Sequence, residues 1–429
     1  MTRTRWIALA WILLASGISI WWGSSVWQTK NGWIDFRSVY YGTRCLLQHH
    51  NPYKVSEFPT KGTECPLEPG YAVYDLPVYV NMPTTCIFMA PLAMLPWGPA
   101  HLLWTIFTVG VFILAGFLMW SLGARYSAKV SLLLVCLLLA NCEVLVGGGN
   151  TAGIVVGLCV VAVWCFLEQR FVLVGVLCLA ASLAIKPHDA GLVWLYFLLA
   201  GGVYRKRALQ TLSITVVLGL SACLWLSHIE PHWIQDWEYN MATLSAHGGL
   251  NDPAPAYLSG HDTATVIDLQ AAFSVFKNDP RFYNPASYLI CGALLLLWAA
   301  RTLRSRFTQR GALLALAAVV PITMLVTYHR AWDAKLLMLS VPACALLWAE
   351  GGRIARMALL VTAAALLLTA DIPLAILSIL SSQLHLDTTG LSGEILTVVL
   401  MRPTPLILLT MSIFYLWIYM RRDPERGLP

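Results

Sequence analysis

Asp35 heads an aromatic and polar run, Asp35-Phe36-Arg37-Ser38-Val39-Tyr40-Tyr41, just beyond the first strongly apolar segment, Trp6 to Trp27, and Asn51-Pro52-Tyr53 follows. A carboxylate at the end of a membrane helix, among aromatic rings, is placed to take the proton of an attacking hydroxyl if partial burial raises its pKa. The plainer reading is a solvated loop aspartate. Lys186, in Lys186-Pro187-His188-Asp189, lies where the proline must end a helix. With His188 it could hold a phosphate by charge-assisted hydrogen bonds, or it could simply reach the interface as lysines do. Tyr328-His329 and Trp332-Asp333 gather an imidazole, a carboxylate, a cation and two aromatic rings within a few residues, a mixture suited to a ligand rich in hydroxyls. Interfacial anchoring by the rings and an N-cap role for Asp333 are the competing readings. Gly147-Gly148-Gly149-Asn150 permits close backbone approach, and Asn150 could cap the next helix. No Gly-Lys-Ser/Thr follows, so it is not a phosphate loop.

The elements that must position these residues are apolar. Of 429 residues, 58% are hydrophobic and only 12% charged, about half the charged share of a soluble domain. Runs near 20 residues long recur from end to end, each able to cross a hydrocarbon layer ~30 Å thick. The pattern predicts an all-α polytopic membrane protein, a single domain over 1–429 with no sizeable soluble part. The expected spans are Trp6–Trp27, Pro99–Leu122, Ser127–Val146, Thr151–Leu167, Val172–Ile185, Ala190–Tyr204, Leu209–Ser227, Ala286–Ala300, Ala312–Thr327, Ala334–Trp348, Ala355–Leu380 and Ile395–Tyr419, twelve in all. The first reads as an anchor, being too long for the apolar core of a cleaved signal. The stretch 84–97 is short and rich in proline, and reads as a half-inserted or interfacial helix.

With the N-terminus in the cytoplasm, most of the 28 basic residues fall on the cytoplasmic side, in clusters such as Arg205-Lys206-Arg207 and Arg301 to Arg310. The positive-inside rule then gives cytoplasmic termini, including a tail at 420–429, and two long external loops, 28–83 and 228–285. All the motifs above face the same external side. The net charge of +6 is thus a topology signal and no case for nucleic acid. Glu143 is read as the one ionisable group clearly within a span. The 11 cysteines lack metal-ligand spacing, though Cys45 and Cys65 share the first external loop and could pair under oxidising conditions. His228, His232, His247 and His261 are scattered without helical pairing, so neither a metal nor another cofactor is expected.

Asp35-Phe36 with Tyr40-Tyr41, Asn51-Pro52-Tyr53 and the proline-punctuated Pro91 to Pro96 leading to Trp104 resemble glycosyltransferase family 87. Gly147 with Asn150, Ile185-Lys186-Pro187, and Tyr328-His329 with Asp333 follow in the same order. The family includes polyprenyl-phosphate-mannose-dependent α-mannosyltransferases. The resemblance spans roughly Trp6 to Ala349 and implies a GT-C-type fold. It also implies a sugar donor carried on a polyprenyl phosphate, a glycolipid or glycan acceptor, and inverting transfer on the external face of the cell membrane, usually without a dissociable metal. Carried over by motif, Asp35 would be the base, His329 would lie near the donor phosphate or sugar, and Lys186 would be a further phosphate contact. His188, Tyr328, Asp333, Asn150, Tyr40 and Tyr53 complete the expected substrate-binding set. Asn81-Met82-Pro83-Thr84 replaces the frequent Tyr-Pro-Pro stretch, and Gly147-Gly148-Gly149-Asn150 replaces the Gly-Gln-x-Asn form. Two other classes compete: a transporter or flippase of lipid-linked sugars, which predicts charges deep in several spans, and a non-catalytic membrane assembly protein.

Overall fold

A computed structural model of the protein describes residues 3–27, 32–54, 78–255, 265–383 and 390–421. Cys65 and the central part of the first long loop lie outside them; Cys45 is disulfide-bonded. Among the described residues the fold is all-α: 83% are helical, and no strand forms. An isolated antiparallel bridge, Val266 with Arg330, is the nearest thing to one.

Among the described residues, six helices are long and apolar enough to cross a membrane: Arg3–Val26, Trp97–Leu139, Gly202–Ile229, Pro280–Arg304, Gln309–Val326 and Pro403–Arg421. Trp97–Leu139 turns back on itself at Ser127, where the backbone leaves the helical region (φ −150°, ψ 99°). Its two halves pack against each other, Gly116 meeting Val135 and Leu139, and Gly123 meeting Ser131. The shorter helices Ala152–Glu168 and Val172–Ile185 are also apolar; the first packs on this hairpin and the second on the first.

Three expected spans are broken. Ala334–Trp348 begins as a 3-10 helix, Asp333–Ser340, before Val341–Glu350. Ala355–Leu380 divides into Gly352–Leu368 and Asp371–Gln383. The last splits into Gly390–Met401 and Pro403–Arg421, because Pro403 cannot continue a helical ladder. Each break brings in a buried ion. Arg402 donates to the carbonyls of Pro253, Ala254 and Ala271 and so ties down the second long loop. Lys335 Nζ, 3.5 Å from Asp371 Oδ1, donates to the carbonyls of Asn141 and Thr369. Glu143 therefore has company: it, Lys335 and Asp371 are all buried. Carbonyls left free at Asn141, at Thr369 and in the second long loop find donors in these side chains, as buried backbone groups require.

The polar residues sort to two ends. At one, Arg125 pairs with Glu168 at 2.5 Å, Arg207 donates to Gln169, and Arg310 pairs with Glu350. Asp35, Asn150, Lys186 and His329 gather at the other, covered by Ile34–Leu47, Pro83–Ala93 and Trp233–Ser245. A second core of aromatic rings holds these three cover helices in place.

Candidate functional site

Asp35 occupies the first turn of the helix Ile34–Leu47, where the helix dipole favours a carboxylate. The residue ahead of that helix, Trp33, has a left-handed backbone (φ 59°), an uncommon conformation for a bulky residue and one that persists only where the surroundings enforce it. Here they do: the Trp33 ring stacks on Trp27 at 5.0 Å, and the Trp33 backbone N–H donates to the Gly147 carbonyl at 2.8 Å. That bond fastens the Asp35 helix to the glycine run. Gly149 (φ +66°) leaves no room for a side chain, since an added Cβ would lie 2.8 Å from Phe36 Cβ. Trp104 Nε1 donates to its carbonyl at 3.0 Å.

Close approach lets Asn150 reach the acid. Asn150 Nδ2 donates to Asp35 Oδ2 at 2.8 Å, while Asn150 Oδ1 accepts the Ala152 N–H at 2.8 Å. The half-buried Asp35 has its pKa raised, chiefly by burial; the Asn150 hydrogen bond and the charges of Arg330 and Lys186 pull the other way. Those two cations thus act on Asp35 across the site.

Lys186 sits between two helices. Pro187 ends Val172–Ile185 and starts Pro187–Leu199. The carbonyls this frees are met by threonines of Pro83–Ala93: Thr84 donates to Ala184, and Thr85 to Ile185 at 3.5 Å. Lys186 Nζ pairs with Asp333 and lies 3.4 Å from Asp189 Oδ2. Burial works against its charge, yet the two carboxylates hold its pKa above the ordinary lysine value. Asp333 does not cap a helix with its side chain, as one sequence reading had it; its Oδ2 accepts the Arg330 N–H at 2.9 Å.

His329 is buried. Its Nδ1 faces the Thr327 carbonyl at 2.9 Å and its Nε2 lies 3.3 Å from Asp189 Oδ1. His188 Nε2 approaches the same oxygen at 3.7 Å, and the two imidazoles meet edge to face at 5.0 Å. Burial lowers the pKa of His329, but Asp189 more than reverses this and leaves it raised. Three of these groups, His188, Asp189 and His329, could between them hold a metal ion. Arg330 donates hydrogen bonds to the Tyr328 hydroxyl and the Leu250 carbonyl and lies over the Trp332 ring at 5.3 Å. Extended pairing of Ile267 N–H with the His329 carbonyl and of Ala331 N–H with the Thr265 carbonyl braces this segment against the second long loop.

The structure therefore brings together Asp35 and Asn150 on one side and Lys186, His188, Tyr328, His329 and Asp333 on the other. It does not bring in Tyr40 and Tyr53. Both are buried among aromatic rings, with hydroxyls donated to the carbonyls of Leu95 and Asn81. Asp189 and Arg330 were not among the expected site residues. The i, i+3 spacing of Asp189 from Lys186 on a helix start was the available signal.

An apolar groove of about 580 Å³ lies between the helices Pro83–Ala93, Trp97–Leu139, Ala152–Glu168 and Val172–Ile185. Among its lining residues, Trp104, Thr151 and Ile185 respectively bond Gly149, follow Asn150 and precede Lys186.

Residues 79–278 match the model of glycosyltransferase family 87. The match takes in Asn150, Lys186, His188 and Asp189, and supports the family the motifs resembled. No curated protein and no solved structure matches the chain.

Proposed function

We propose that this membrane glycosyltransferase of family 87 moves a hexose, mannose by the resemblance, from a polyprenyl-phosphate donor to an acceptor hydroxyl on the non-cytoplasmic face. The observation that carries the reading is the combination of three features: a half-buried carboxylate held by Asn150, a cluster opposite it that presents Lys186 and Arg330, and an apolar groove whose lining residues Thr151 and Ile185 adjoin Asn150 and Lys186 in the chain. A lipid-linked sugar has these same three parts, with a phosphate joining the sugar to a long apolar tail.

The mechanism is a single displacement with inversion. The acceptor O–H gives its proton to Asp35 as its oxygen attacks the anomeric carbon. The bond from that carbon to the phosphate oxygen breaks, and its electron pair leaves with polyprenyl phosphate. Raising the pKa of Asp35 strengthens it as a base. Lys186 and Arg330 stabilise the charge that grows on the departing phosphate, an effect that is larger in a site shielded from water. Asn150 aims the carboxylate, which matters because misplacement of a reacting group is costly.

The test is Asp35→Asn in membranes supplied with a panel of polyprenyl-phosphate sugars and extracted lipids. Transfer should fall by about 10²–10⁴-fold, the usual worth of a positioned base, with the protein still inserted and folded. An unchanged product yield in this variant, or no donor consumed by the wild type across a broad panel, defeats the reading.

A further inference from the structure

We propose that His188, Asp189 and His329 form a binding site for a divalent transition metal of the zinc type. The ligand atoms all lie within 4.8 Å of one another. Two imidazole nitrogens with one carboxylate oxygen is a donor set that such ions favour, and three protein ligands leave a fourth position open.

The spacing is that of a coordination polyhedron more than of a hydrogen bond. Metal–ligand bonds of about 2.0–2.1 Å in a tetrahedron put neighbouring ligand atoms about 3.3 Å apart. His329 Nε2 is 3.3 Å from Asp189 Oδ1, and His188 Nε2 is 3.7 Å from it. Both exceed the ~2.9–3.0 Å at which N–H···O bonds cluster. His329 Nε2 makes no hydrogen bond although its side chain is more than nine-tenths buried, a missing bond that is costly unless a ligand supplies it.

The second shell fits as well. His329 Nδ1 meets the Thr327 carbonyl at 2.9 Å. A carbonyl can only accept, so Nδ1 keeps its proton, and Nε2, the nitrogen that faces Asp189, is the atom a metal would take in place of a proton there. A backbone carbonyl on the far nitrogen is a usual way to orient a ligating histidine. Lys186 approaches the other oxygen of Asp189 and is itself paired with Asp333. The Oδ1 side is thus left to the imidazoles. With a divalent cation bound, the cluster of Lys186, Asp189 and Asp333 carries one net positive charge, which a phosphodiester would balance. His188 is exposed, so the open position faces the accessible side of the site. Taking up a donor phosphate oxygen there is a role that rests on the proposed function; the binding of the ion does not. The ligands are remote in sequence, His329 standing far from the Lys186-Pro187-His188-Asp189 run, which is why no metal-ligand spacing was legible.

The experiment uses the full chain in detergent, purified through a handle free of histidine, loaded with Zn²⁺ alone and passed through metal-free buffer. Metal content should be one equivalent per chain in the wild type. It should fall at least tenfold in His188→Ala, whose exposed side chain makes loss of folding a poor explanation, and in Asp189→Asn. Loading with Co²⁺ should give the visible absorption bands of a tetrahedral nitrogen–oxygen site. A wild type that retains no metal overturns the site, as does His188→Ala retaining a full equivalent. Metal content is read without any donor. A protein that transfers no sugar but holds one ion upholds the site, and one that transfers sugar yet holds none overturns it.

Discussion

Asn150 donates to Asp35 across 2.8 Å while its own carbonyl is held by the Ala152 N–H. One amide is thus fixed at both ends, and the carboxylate it meets can point in only one direction. The glycine run that precedes Asn150 is what lets two otherwise separate helix ends come this close.

Asn150→Ala tests this aim. A hydrogen bond to a charged group is worth about 1.5–3 kcal/mol, so kcat should fall about 10- to 100-fold. The pH profile should move as well. Asp35 acts deprotonated, so the rate climbs as pH rises through its pKa, and burial sets that limb above the ordinary carboxylate range. The Asn150 bond favours the charged form. Its loss raises the pKa further, and the limb moves to higher pH. A limb that moved to lower pH would contradict the assigned contact.

Lys186 stands between two buried carboxylates, Asp189 and Asp333. Lys186→Met leaves them facing each other without a cation, and breaking a buried pair costs about 3–5 kcal/mol. Thermal unfolding in detergent, followed by tryptophan fluorescence, should show a clear drop in Tm. Adding Asp333→Asn should recover much of that stability and none of the transfer. Recovery of both would mean that Lys186 has only a structural part.

Gly149→Ala places a methyl group at a backbone of φ +66°, where L-residues lose about 1–2 kcal/mol, and drives it into Phe36 and Trp33. The expected outcome is a modest fall in Tm with a larger fall in kcat, since Asn150 is displaced from Asp35. Comparing the two quantities in one preparation checks this; a stable protein with full activity would rule out the packing described.

Ala181→Trp fills part of the apolar groove. Excluding two methylenes of a donor tail costs ~0.8 kcal/mol each, about a tenfold rise in KM. Long-chain donors should show the rise and short-chain analogues should be spared. An equal effect on both would place the tail elsewhere.

Much of this was open to reading in the chain itself. Long apolar runs and basic clusters are local properties, so hydropathy and charge alone predicted a polytopic all-α membrane protein. They also marked the turn at Ser127, which falls where one expected span gives way to the next. Pro187 announced the end of a helix at Lys186, and the glycine run announced close contact at Asn150. What was legible in the last spans was their apolarity. Their breaks depend on partners far away: Lys335 needs the carbonyl ends of two other helices, and Arg402 needs a loop to hold.

The site divides along the same line. Residue types and their spacing determined the candidates Asp35, Asn150, Lys186, His329 and Asp333, because proline, glycine and charge act on the backbone nearby. Only the tertiary structure decided which of them meet. Asp35 and Asn150 are 115 positions apart, and Lys186 and Asp333 are 147 apart. No local preference carries information across such distances; packing does. Packing also committed the hydroxyls of Tyr40 and Tyr53 to backbone carbonyls and drew in Asp189, whose single carboxylate touches Lys186, His188 and His329 together.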